Sequence, residues 1–139
     1  MTSISQSPPT NSEHTNAALW SGRILSGFVV AFLLLDGAMK LLALPIVTET
    51  MANLGWPATA EMARLLGVLT VASALLYAAP RTSIFGAILL TAYLGGAVAT
   101  HARVGSPLLT HTLFGVYLGV AAWAGLYLRN TKLRDLLAN

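Results

Sequence analysis

The 139-residue chain contains no cysteine. Disulfides, thiolate nucleophiles and thiolate metal sites are therefore excluded. Charge is almost as scarce: Asp, Glu, Lys and Arg make up 9% of the residues, against about 25% in an average soluble domain. A soluble chain of this length would lack the polar surface to cover its core. The eight Lys and Arg are scattered rather than gathered in a stripe, which argues against nucleic-acid binding. The sequence also has no nucleophile elbow, Walker loop, dinucleotide fingerprint or zincin helix. No catalytic residue and no metal site is assigned from it, and whether the protein is an enzyme is left open.

Apolar residues fill the space these absences leave. Hydrophobic residues make up 55% of the chain, and mean hydropathy is +0.69. Four long apolar runs stand out, at about Leu19–Leu44, Ala60–Ala79, Ser83–Thr100 and Thr110–Leu128. A helix rises ~1.5 Å per residue, so ~20 residues cross a ~30 Å hydrocarbon layer. The runs do not alternate, which argues against barrel strands. The expected fold is all-α: a membrane-embedded four-helix bundle in the lipid bilayer, spanning residues 20–128. Residues 1–19 are rich in Ser, Thr, Asn and Pro and read as a disordered polar tail, not a secretory signal. Residues 129–139 read as a basic cytoplasmic tail.

Between the first two spans, Ile46, Val47, Thr50, Met51 and Leu54 fall at helical spacing until Gly55 and Pro57 end the pattern. This predicts a short interfacial helix with Trp56 as an anchor. Four spans put both termini and the Pro80-Arg81-Thr82 turn on one side, with five Lys and Arg against three on the other. That bias predicts a multi-pass protein of the cell membrane with cytoplasmic termini. Small residues predict close helix packing: Gly115 and Gly119 in span four, Ala92, Gly96 and Thr100 in span three, and Gly67 between Ala63 and Thr70 in span two. The Gly115–Gly119 face serves packing or self-association equally well. Trp20, Trp56, Trp123, Tyr77 and Tyr127 are placed in the interfacial belts, and Tyr93 and Tyr117 deeper.

Ionisable groups inside spans are costly and mark sites or internal pairs. Here Asp36, Lys40, His101, Arg103 and His111 all lie toward the end away from the termini, joined by Glu61 and Arg64 as an exposed first-turn pair. Asp36 and Lys40 are spaced i,i+4 in the favourable order. They read as a helix-pinning ion pair or as the wall of a polar pocket. His101 shares a helical face with Tyr93 and Ala97. His111 shares one with Gly115, Leu118 and Ala122 and is expected to point inward. The candidate ligand-binding set is Asp36, Lys40, Tyr93, His101, Arg103 and His111.

Three strings carry a family resemblance: Phe32–Leu41, with Asp36-Gly37-x-x-Lys40; Pro80-Arg81-Thr82; and Gly95-Gly96-Ala97-Val98-Ala99-Thr100-His101-x-Arg103. Together with the fourth span they resemble DoxX-like membrane proteins from Arg23 onward. The resemblance implies a four-helix membrane fold and matching residues at Asp36, Lys40, Arg81, His101 and Arg103. The founding archaeal protein is associated with a thiosulfate:quinone oxidoreductase, and other relatives with membrane redox-defence assemblies. Many relatives carry a Glu in mid-helix two where this chain has Thr70, so a step needing that Glu would be missing here. Three readings follow: a redox-associated subunit with a bound quinone and a membrane redox partner, a binder or carrier of a small amphipathic molecule, or a non-catalytic assembly subunit. No covalent cofactor is implied.

Overall fold

A computed structural model describes residues 11–138, with side chains from Asn16 onward. The elements are α1 (Asn11–Leu41), α2 (Pro45–Asn53), α3 (Ala60–Ala78), α4 (Ser83–Arg103), a π-helical turn (Leu108–Thr112), α5 (Phe114–Arg129) and α6 (Thr131–Ala138). No strand occurs among the described residues. Among the described residues, four helices are long and apolar enough to cross a membrane: Asn16–Leu41, Ala60–Ala78, Ser83–Arg103 and Leu108–Arg129. The all-α, four-span architecture with a short helix after the first span is as expected. The protein is a multi-pass membrane protein.

The boundaries have local causes. α1 stops at Leu41, three residues before the expected end, because Ala43 takes a left-handed conformation (φ 49°) and Pro45 then opens α2. Pro suits that position because its missing N–H would have had no helical partner. Thr59 caps α3, its hydroxyl accepting from the Met62 N–H at 3.3 Å. The Pro80 turn is held by Thr82, which donates to the Leu76 carbonyl at 2.8 Å.

Two expectations at the termini need correction. Residues 11–19, read as part of a polar tail, belong to α1, while residues 1–10 of that expected tail lie outside the described residues. The tail expected at 129–139 contains α6, which turns back on the bundle to bury Leu133.

The spanning helices form a ring in which α1 and α4 each pack against α3 and α5. Gly67 of α3 and Gly125 of α5 set how closely these helices approach α1. A Cβ on Gly67 would lie 2.9 Å from the Leu41 nitrogen and 3.0 Å from the Gly37 carbonyl, and a Cβ on Gly125 would lie 2.7 Å from Ser26 Oγ. Backbones come this near only where a side chain is missing. The Gly67 stripe of α3, with Ala63, Thr70 and Ala74, is buried as expected. Gly115 is used inside the chain: its Cβ would meet Val98 Cγ2 at 2.9 Å and the Leu94 carbonyl at 3.1 Å.

The core lies toward the termini and is built from Val29, Leu33, Leu90, Leu118, Ala122 and Leu126 around Tyr77. Tyr77, expected in the interfacial belt, is 0% exposed. Its hydroxyl donates to the Ala122 carbonyl at 2.7 Å and lies 2.9 Å from Ser26 Oγ. The tyrosine proton is taken by the carbonyl, so the Ser26 hydroxyl donates to the Tyr77 hydroxyl oxygen. Arg129 covers the ring at 4.8 Å and donates to the Tyr77 carbonyl at 2.5 Å. One buried polar knot thus ties α1, α3 and α5 together. Tyr117, expected deep, is half exposed.

Candidate functional site

At the opposite end the ring opens. Beneath α2 and between the facing walls of α1 and α4 lies a cavity of about 480 Å³. From α1 it receives Asp36, Met39 and Lys40, whose spacing puts them within one turn of each other. From α2 it receives Ile46, Val47, Thr50, Met51 and Leu54, the set predicted from helical spacing to share a face. That face covers the cavity instead of lying flat on lipid. Leu66 of α3 contributes to the wall.

α4 supplies the facing side with Ala92, Tyr93, Gly96, Ala97, Thr100 and His101. The small-residue stripe Ala92–Gly96–Thr100, expected at a helix contact, is here a cavity wall. Ala92 and Gly96 are exposed, and a Cβ on Gly96 would meet nothing within 4 Å. Small residues at a contact and small residues beside a void look identical in a sequence. Ala92 lies ~16 Å along the helix from Arg103, at 1.5 Å per residue. The open side of the cavity therefore reaches well into the hydrocarbon depth.

The polar groups are arranged on this apolar ground. Asp36 and Lys40 form an ion pair along α1. The Lys40 ammonium also sits 5.8 Å from the centroid of the Tyr93 ring, so it links α1 to α4 across the space between them. A cation over an aromatic face contributes on the order of 1 kcal/mol when partly desolvated. His101 places Nδ1 3.0 Å from Ser106 Oγ, which leaves its other nitrogen without a partner in that bond. The Thr100 hydroxyl donates back to the Gly96 carbonyl at 2.9 Å, so it offers the cavity acceptor capacity only.

Four of the six candidate residues, Asp36, Lys40, Tyr93 and His101, line one cavity. The other two do not. Arg103 is exposed and donates to the Leu54 carbonyl at 2.6 Å, latching the end of α2 to the end of α4. His111 is exposed, with Nδ1 2.8 Å from Thr110 Oγ1 and its ring 5.9 Å from that of His101. Its expected inward direction assumed an unbroken α-helix. The π-helical turn over Leu108–Thr112 holds an extra residue, so Thr112 takes the buried position and His111 turns outward.

Glu61 and Arg64 are both exposed, as expected. Thr70 is 0% exposed and donates to the Leu66 carbonyl at 2.8 Å; it takes no part in the cavity. Among the described residues, no three His, Asp or Glu side chains gather as a metal site would require. The residues that the sequence reading missed are the apolar ones, Met39, Met51, Leu54 and Leu66, together with Gly96. The periodicity of α2 carries a signal for Met51 and Leu54, and the small-residue stripe of α4 carries one for Gly96.

No curated protein and no solved structure matches the chain. Residues 24–125 match the DoxX-like family, a stretch that takes in both walls of the cavity, all of α2, and most of all four spans. The chain therefore belongs to the DoxX-like family.

Proposed function

We propose that the protein binds a small amphipathic molecule taken from the bilayer, and that the ligand is a quinone serving a membrane redox partner. The observation that carries this reading is the meeting of Asp36, Lys40, Tyr93 and His101 in one largely apolar cavity that opens at hydrocarbon depth. Ligand sites combine an apolar lining with a few polar groups that fix orientation. The two carbonyl oxygens of a quinone accept hydrogen bonds, and Lys40, Tyr93 and His101 are donors. The Asp36 carboxylate accepts, which suits the hydroxyls of the reduced form. Met39, Met51, Leu54 and Leu66 offer an apolar bed for the ring and the first part of a tail.

The chain has no cysteine to carry electrons, so in this reading the two electrons that reduce a quinone come from the partner. The protein supplies binding, orientation and a place where two protons can be taken up. The analogy with redox-associated relatives supports the ligand class, while the cavity supports binding. The excess of Lys and Arg at the end bearing the termini, five against three, supports termini in the cytoplasm and the cavity toward the outer face of the cell membrane.

Native mass spectrometry of the protein in mild detergent, with solvent extraction of the same sample, tests this reading. A retained quinone in the wild type that is lost in Asp36→Asn and His101→Ala is the expected result. A retained molecule of another amphipathic class would keep the binding role and replace the ligand. An empty bundle in all three would transfer the weight to an assembly role.

A further inference from the structure

α4 has a second open side. A groove of about 650 Å³ runs between α4 and α5, walled by Gly95 and Val98 on one helix and Val116 and Val120 on the other. Leu133 and Leu137 of α6 close it at the end bearing the termini. Its floor is open at Gly95, where a Cβ would meet nothing within 4 Å. Two of the polar groups along it pair with each other, the Trp123 indole N–H donating to Thr91 Oγ1 at 2.8 Å.

The groove has the length of one leaflet. From Gly115 to Tyr127 it follows α5 for ~18 Å at 1.5 Å per residue, against ~15 Å for half of a ~30 Å hydrocarbon layer.

α6 has the make-up of a helix lying in the membrane interface. Leu133, Leu136 and Leu137 fall on one face at 100° per residue, with Lys132 and Arg134 on its two flanks. Leu133 is buried, while Leu136 and Leu137 are 72% and 70% exposed. Five of the eight Lys and Arg lie at this end of the bundle. An apolar face flanked by cations seats a helix at the level of the phosphates and favours anionic lipid.

We propose that the α4–α5 groove is a binding site for one acyl chain of an anionic phospholipid, whose phosphate is held by Arg134 on the flank of α6 next to Leu137, with Lys132 adding positive charge from the other flank. This site is separate from the cavity under α2 and does not depend on the quinone reading.

The test uses the full-length protein exposed in detergent to an equimolar mixture of phosphatidylglycerol and phosphatidylcholine with identical acyl chains. Adducts are counted by native mass spectrometry. Phosphatidylglycerol adducts should dominate in the wild type. In the double variant Lys132→Glu/Arg134→Glu the preference should fall by roughly tenfold or more, since each basic group near the surface contributes several-fold. Gly95→Phe, which fills the groove, should lose the phosphatidylglycerol adduct, while Gly95→Ala should keep it. Circular dichroism of each variant checks that the bundle is intact. Equal adducts of the two lipids, or a preference that survives in both the double variant and Gly95→Phe, would overturn the proposal. So would a dimer peak that Gly95→Phe removes, which would give the groove to a second copy.

Discussion

The two ends of this bundle use similar residues for opposite purposes. Toward the termini, small residues bring backbones together. Gly125 meets Ser26 of α1, and the space left over is filled by Tyr77, which ties three helices with its hydroxyl and its carbonyl. Toward the other end, Ala92 and Gly96 bring nothing together; they leave room. The polar groups differ in the same sense. The Tyr77 hydroxyl has its partners within the chain. Lys40, Asp36 and His101 each keep bonding capacity that faces the cavity. One end is built as a closed knot and the other as a container, and substitutions at five positions probe that contrast.

The largest effect is expected at the knot. Tyr77→Ala removes a fully buried aromatic ring and strips the Ala122 carbonyl and the Ser26 hydroxyl of their partner, which should cost about 3 kcal/mol or more. Thermal unfolding in detergent measures it, and Tyr77→Phe should recover most of the loss. Next comes a pair of glycine substitutions that separates contact from void. Gly67→Leu drives a side chain against the α1 backbone and should destabilise by about 1–3 kcal/mol. Gly96→Phe enters open space and removes a helix-weakening glycine, so stability should hold within about 0.5 kcal/mol. Equal destabilisation by the two would erase the distinction between the ends.

A smaller and local effect is expected at the latch. Arg103→Ala frees the Leu54 carbonyl and should leave global unfolding within about 1 kcal/mol of wild type, because the side chain is exposed. Amide exchange over residues 45–56 should nonetheless quicken, since α2 is flanked by positive-φ residues at Ala43 and Gly55 and has few other ties. A small effect on stability is also expected for Asp36→Asn. Asp36 is 36% exposed in its side chain, so the lost ion pair should cost about 1 kcal/mol or less, while ligand retention falls sharply. A large stability loss with retention intact would make the pair a packing device.

Much of this was legible in the sequence, and the failures share a cause. Span number, the short helix and its lining face follow from periodicity, which burial enforces directly. Asp36, Lys40, Tyr93 and His101 converge because unbroken helices keep their register. His111 departs from the face expected of an unbroken helix because one extra residue in a π-helical turn rotates everything before it. The burial of Tyr77 is not legible because a residue near the end of a span can equally face lipid or the centre. α6 is hard to read because eight residues are too short a stretch to tell a docked helix from a tail, and only the burial of Leu133 against the bundle reveals its role.

The most direct test of the central claim uses the two adjacent glycines of α4, which open to different sides. Gly96→Phe fills the cavity and Gly95→Phe fills the groove, and native mass spectrometry of both reads what each variant still holds. The account predicts that Gly96→Phe loses the small amphipathic molecule retained by the wild type while keeping wild-type stability, and that Gly95→Phe retains it. Retention of that molecule in Gly96→Phe, at a level equal to wild type, would contradict the claim that the cavity beneath α2 is where it binds.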